Sequence, residues 1–155
     1  MRLRRCILAV AALGVVTGPA AIAQDKPKAT GVVAVRQATM KANADHMAAI
    51  KAILSEYPEV LDQVQFHAQA IQANADHTVA LFPEGSTQPA SAALPAIWSD
   101  QAGFKTAAQR AEELAAKLVE TSKGGDAKAM LAAFAELGKN GCGGCHQNFR
   151  RKEES

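Results

Sequence analysis

The sequence predicts an all-α fold, a single domain built as an antiparallel four-helix bundle. Three observations point there. Apolar residues recur at intervals of three, four and seven in four separate stretches. Good helix formers, alanine and lysine above all, fill those stretches. β-branched residues are few and never alternate, so no strand is predicted. Short links and one longer crossover loop complete a pattern that builds cofactor sites between facing helices.

Residues 24–29 read as a polar lead-in containing Pro27. From about Thr30, Val33, Met40, Met47 and Leu54 recur every seven residues, with Ile50 between the last two. This first helix ends near Tyr57-Pro58, because the residue before a proline resists helical backbone. Pro58 suits a helical first turn, and the second helix runs to about Leu81. Its buried face is Leu61, Val64, Ala68, Ile71, Ala75 and Thr78. Residues 83–95 are rich in Pro, Ser, Gly and Ala and form the longest loop, pinned to the core by Ile97-Trp98.

Ser99 or Asp100 caps the third helix. Its buried stripe is Phe104, Ala107, Ala108, Ala111, Leu114, Ala115 and Leu118. Gly124-Gly125 ends it. Asp126 caps the fourth helix, which turns Met130, Leu131, Phe134, Leu137, Cys145 and Phe149 inward. Residues 150–154 read as a solvated tail. Alanine-rich inner faces leave room for a flat cofactor.

The chain opens Met1-Arg2-Leu3-Arg4-Arg5, runs apolar from Cys6 to Val16, and reaches Ala21-Ile22-Ala23. A basic start, an apolar centre and an A-x-A site describe an export signal, residues 1–23, cleaved after Ala23. The apolar run is too short to span a membrane and is broken by Gly18-Pro19. Residues 24–155 are then the folded domain, exported to the periplasm, with no membrane insertion after cleavage. The whole chain carries 17 Lys and Arg against 15 Asp and Glu. Losing Arg2, Arg4 and Arg5 makes the mature domain slightly acidic, so nothing points to nucleic acid. Losing Cys6 leaves Cys142 and Cys145, which excludes a disulfide scaffold.

Those two cysteines stand in Cys142-Gly143-Gly144-Cys145-His146. C-x-x-C-H is the attachment signature of a c-type haem. Two thiols one helical turn apart reach the two vinyl groups, and the adjoining imidazole reaches the iron as an axial ligand. A dithiol exchange site and half a zinc site are the competing readings. Zinc wants a second clustered pair, which the sequence lacks. Export supports haem, since bacterial c-type attachment takes place outside the cytoplasm. One covalent haem c is therefore expected between the first and last helices, with a cavity there to hold it.

The opposite iron face decides what such a protein does. Met40 has Arg36 one turn before it and Asn43 one turn after, on the same helix face. Haem propionates would satisfy Arg36. From spacing alone, Met40 reads as ordinary core packing. His46, His67 and His77 read as surface histidines.

On Arg36-Gln37-x-x-Met40, on Ile97-Trp98-Ser99-Asp100 followed by Phe104-Lys105, and on the C-terminal Cys142-Gly143-Gly144-Cys145-His146, the chain resembles the class II cytochromes c. These are the cytochrome c′ and c-556 family. The resemblance covers the whole mature chain and implies a left-handed four-helix bundle with the haem near one end. It places Arg36 and Gln37 near the propionates and matches Arg150 to a basic residue after the haem histidine. It sets Ser86 and Thr87 beside family loop residues near the haem, in a loop of different length.

Members divide at one position. Cytochromes c′ carry a bulky apolar residue over an open iron face, are five-coordinate and bind nitric oxide or carbon monoxide. The c-556 type carries a methionine there and is six-coordinate and low-spin. The position falls on Met40, so the resemblance implies His146 and Met40 as the two iron ligands. The expectation is a non-enzymatic periplasmic electron carrier that meets periplasmic or membrane-bound redox proteins. Monomer and homodimer both stay open. The alternative is a c′-like gas binder in which Met40 only packs over the iron. A peroxidase would want distal acid and base groups near an open iron site, and Asn43 is a poor substitute for them.

Overall fold

The computed structural model describes residues 27–152. The expected export signal and cleavage site lie outside them. Four main helical segments form the bundle: α1 (Gly31–Glu56), α2 (Asp62–Asp76), α4 (Gln101–Ser122) and a last segment in two parts. That last segment is α5 (Ala127–Glu136) and α6 (Gly143–Phe149), joined by a π-helical stretch over Leu137–Cys142. A short α3 (Ala96–Ser99) precedes α4.

Local chemistry sets the ends. Asp100 caps α4, its Oδ1 accepting from the Gly103 N–H at 2.9 Å. Asp126 caps α5, accepting from the N–H groups of Lys128 and Ala129. Gly125 takes φ +69° between α4 and α5, a left-handed backbone that glycine adopts without a Cβ clash. The second helix is shorter than its apolar stripe suggests. Pro58–Val60 and Val79–Leu81 are 3-10 turns at either end of α2. The stripe nevertheless stays inward, and Val64, Ala68, Ile71, Ala75 and Thr78 are all buried.

The main core joins Ile50 and Ile53 of α1, Val64 and Ile71 of α2, Leu114 and Leu118 of α4, and Met130 of α5. Burial of such side chains contributes about 1.5–3 kcal/mol each. Leu131, expected inside, is 53% exposed, because α5 turns Met130 and Ala133 inward instead. A second cluster of Ile97, Phe104 and Phe149, with Phe82 and Trp98 against it, lies under the long loop. Trp98 donates its indole N–H to the Pro83 carbonyl at 3.0 Å, which fastens the loop as its sequence position suggested.

The start of the tail is not solvated backbone. Leu94 N–H donates to Phe149 O at 3.0 Å and Arg151 N–H to Ala92 O at 2.8 Å, so the chain end pairs antiparallel with the loop. Ala93 and Arg150 form an isolated bridge, and no longer strand exists among the described residues. No described helix is long and apolar enough to cross a membrane.

Candidate functional site

Two adjoining cavities, about 260 and 340 Å³, share Met40, Thr78, Cys145 and His146 in their walls. The first is almost wholly apolar and reaches between the helices past Met47, Ala75, Ala108 and Ala111. The second opens towards the loop, past Gln37, Ser91 and Arg150. The small residues of α2 and α4 make the inner space, as the alanine-rich faces predicted. The outer space is polar-rimmed because the loop and chain end close over it.

Cys142, Cys145 and His146 reach this space through the π-helical stretch. A π turn admits one residue more than an α turn and so rotates the side chains beyond it about the helix axis. Leu137 and Gly141 stay buried against α4, where Gly141 lies so close to Ala111 that an added Cβ would sit 3.4 Å from its Cα. Cys142, Cys145 and His146 then line the first cavity. Sequence periodicity carried one helix through here and missed the bulge. The glycine density of residues 138–144 was its only signal.

The electrostatics discriminate between uses of the cysteines. Both are free thiols. Burial pushes the Cys142 thiol up, partly offset by a backbone hydrogen bond. Burial also raises Cys145, and Cys142 beside it adds to the rise. A dithiol exchange centre needs a thiol whose pKa is lowered, so these are poor exchange thiols. Among the described residues, no group of three or more His, Cys, Asp or Glu gathers to hold a metal ion, which leaves the half-zinc reading without its other ligands. Burial, then the charge of Arg150, holds the His146 imidazole below its usual pKa. It is neutral at neutral pH, with a lone pair available to a metal.

The donor set therefore fits a haem. Two adjacent thiols and a neutral imidazole stand on one helical turn against an apolar slot, with polar groups at the open end to receive carboxylates.

Arg36 is 4% exposed and has partners within the protein. Its Nη2 donates to Leu81 O at 2.9 Å and Ser86 Oγ at 2.8 Å, Nε to Leu81 O at 3.1 Å, and Nη1 to Ser91 Oγ at 3.3 Å. Its guanidinium carbon lies 3.9 Å from the Phe82 ring centroid. Arg36 thus holds the loop to α1. The reason it looked unpartnered in the sequence is that its acceptors are 45 to 55 residues away. Gln37 donates to Ala90 O at 2.8 Å from the cavity edge. Ser86 and Thr87 line neither cavity; Ser86 is drawn onto Arg36, and Ser91 takes the place beside the slot.

Comparison with known proteins decides the lineage. Residues 31–150 match the profile of the family described as Cytochrome C′. The chain belongs to the cytochrome c′ family. Cytochrome c′ of Pararhodospirillum photometricum is 35% identical over 119 residues, covering 76% of this chain and 94% of that protein. Cytochrome c′ of Rhodospirillum rubrum is 32% identical over 145 residues, covering 93% and 97%. A solved nitric oxide complex of a mutant cytochrome c prime from Alcaligenes xylosoxidans superposes with a TM-score of 0.71 at 27% identity, covering 79% of this chain and 94% of that one. The cytochrome c′ family carries covalent haem c, and Cys142 and Cys145 stand at its C-x-x-C-H motif.

These likenesses overturn the expectation of a low-spin electron carrier with His146 and Met40 on the iron. The relatives matched over most of their length and the structural neighbours are cytochromes c′. A cytochrome c-554 of Cereibacter sphaeroides matches over 76 residues at 40% identity, covering 47% of this chain, and the c-556 subtype is not confirmed. The physical reason the sequence misled is that a methionine over a cofactor is the same residue whether its sulfur ligates or its side chain fills space. Met40 does line both cavities, which is also what packing over an open face requires.

Proposed function

We propose that this chain is a gas-binding cytochrome c′, taking nitric oxide or carbon monoxide on the open face of its haem. The observation that carries the reading is the agreement of whole-length relatives and solved neighbours, one of them a nitric oxide complex, on cytochrome c′. When bound, the haem supplies an iron coordination position for a diatomic ligand.

The chain's own residues define that position. Cys142 and Cys145 would fix the cofactor to the last helical segment, and His146 would offer its imidazole to the iron. Met40, with Met47 and the alanines of α2 and α4, walls the apolar cavity and would limit what enters to small molecules. Arg36 holds residues 81–91 over the slot, and Gln37 and Arg150 stand at the carboxylate end. The protein is not an enzyme in this reading. It works in the periplasm, where redox proteins of that compartment set the oxidation state of the iron.

The test is a carbon monoxide and nitric oxide titration of the haem-loaded protein beside Met40→Leu. Both proteins are expected to be five-coordinate and to bind the gases, with rates set by the distal side chain. A low-spin spectrum in the natural protein that turns high-spin in Met40→Leu would sink the proposal.

A further inference from the structure

A second cluster of ligating side chains lies on the outer face of α1 and α2, apart from the haem slot. His46 Nδ1 and His67 Nδ1 are 2.9 Å apart. Both rings are half-buried, with centroids 5.2 Å apart. Phe66, itself 61% exposed, sets an edge against each ring, with centroids at 6.4 Å from His46 and 5.3 Å from His67. Buried Ile50 on α1 and buried Val64 and Ala68 on α2 fix the two backbones that carry the histidines.

From this geometry we propose that His46 and His67 form a two-imidazole binding site for a divalent late transition metal, Cu(II) or Ni(II). The separation of the donors selects the class of metal. Metal–imidazole bonds are about 2.0–2.1 Å long, so donors 2.9 Å apart subtend roughly 90° at the ion. Tetrahedral zinc wants donors about 3.3 Å apart at that bond length, and a linear ion wants about 4 Å. Adjacent positions at roughly 90° belong to square-planar or octahedral geometry, the preference of Cu(II) and Ni(II) with nitrogen and oxygen ligands. Water fills the remaining positions, as the partial exposure of the pair allows.

The proton inventory permits binding without cost in charge. In the metal-free pair, one ring donates its Nδ1–H to the lone pair of the other Nδ1. On binding, that ring carries its proton on Nε2 instead, and each ring turns so that its Nδ1 lone pair, which lies along the N···N line in the hydrogen bond, points off that line at the ion. Both rings remain neutral and no net proton is released. Because one ligand comes from each helix, the ion cross-links α1 to α2. Phe66 restrains both rings and reduces the ordering required on binding.

The experiment is titration of the haem-loaded protein with Cu(II), Ni(II) and Zn(II) separately, by calorimetry, with the copper paramagnetic resonance spectrum recorded at one equivalent. Variants are His46→Ala, His67→Ala and His77→Ala; His77 is exposed and pairs with its neighbour Asp76. The site predicts one Cu(II) per chain, coupling to two nitrogens, and Ni(II) bound more tightly than Zn(II). Either His46→Ala or His67→Ala should weaken Cu(II) binding by at least ~10-fold, since removing even a partner of a ligand costs that much. His77→Ala should leave it unchanged. The proposal is overturned if copper in the natural protein shows no two-nitrogen coupling, or if Zn(II) binds more tightly than Ni(II). Equal loss in all three variants, or none in His46→Ala and His67→Ala, also overturns it.

Discussion

Replacing Arg36 by methionine should loosen the loop that closes the haem slot and destabilise the protein by about 3 kcal/mol. The contacts set that figure. Leu81 O, Ser86 O, Ser86 Oγ and Ser91 Oγ all take hydrogen bonds from one guanidinium. Hydrogen bonds from a charged donor contribute roughly 1.5–3 kcal/mol each. The four are not independent, because they share one donor group and one loop. The Phe82 contact adds about 0.5–2 kcal/mol. Against this, water can reach the half-buried Ser86 acceptors once the loop lifts, which recovers part of the loss. Methionine keeps the apolar stem, so the difference reports the guanidinium. Arg36→Lys should fall between, since a point charge cannot serve acceptors on both sides of a planar fork. The assay is urea unfolding of the haem-loaded protein monitored by far-ultraviolet circular dichroism. Trp98 fluorescence would read the loop separately, through its hydrogen bond to Pro83. A change within about 0.5 kcal/mol, the range of ordinary surface substitutions, would refute the loop-clamp account.

Two further outcomes are expected. Gly103→Ala should lower stability although alanine is the better helix former by about 1 kcal/mol. Its Cβ would meet the Asp100 carboxylate, with Cγ at 2.8 Å, and break the α4 cap; thermal unfolding beside Asp100→Ala would show losses of about 1 kcal/mol in both. Burial, and then the charge of His46, lower the His67 pKa from its ordinary 6.5. The folded state therefore binds fewer protons than the unfolded chain at this position, and the stabilisation is fully present above that value and lost as pH falls towards the folded pKa. His67→Asn should accordingly show a shallower loss of stability below pH ~6.5 than the natural protein, measured by urea midpoints at a series of pH values.

How much of this was legible in the sequence differs by element. The buried stripe of the second helix was readable from Val64 to Thr78, with Leu61 only half-buried, because a 3.6-residue period and burial are the same fact seen twice. So was the capping by Asp126, whose short carboxylate precedes the helix it caps. The attachment motif carried its own chemistry, and burial, which raises both thiols, argues against the exchange reading. What was hidden depends on distance along the chain. Arg36 and its acceptors, the loop paired to residues 149–151, and the contact of His46 with His67 all join residues 21 to 60 apart. No local pattern announces them. The π bulge was hidden for another reason: one extra residue in a turn leaves the helical composition unchanged. Met40 lines both cavities, yet its chemistry was beyond any spacing argument.

The central claim is an iron with one open coordination position, over which Met40 packs without ligating it. The most direct measurement is the visible absorption spectrum of the ferrous haem-loaded protein before and after carbon monoxide. The account predicts a high-spin five-coordinate spectrum that converts to the carbon monoxide complex. A low-spin six-coordinate spectrum that carbon monoxide leaves unchanged would contradict it.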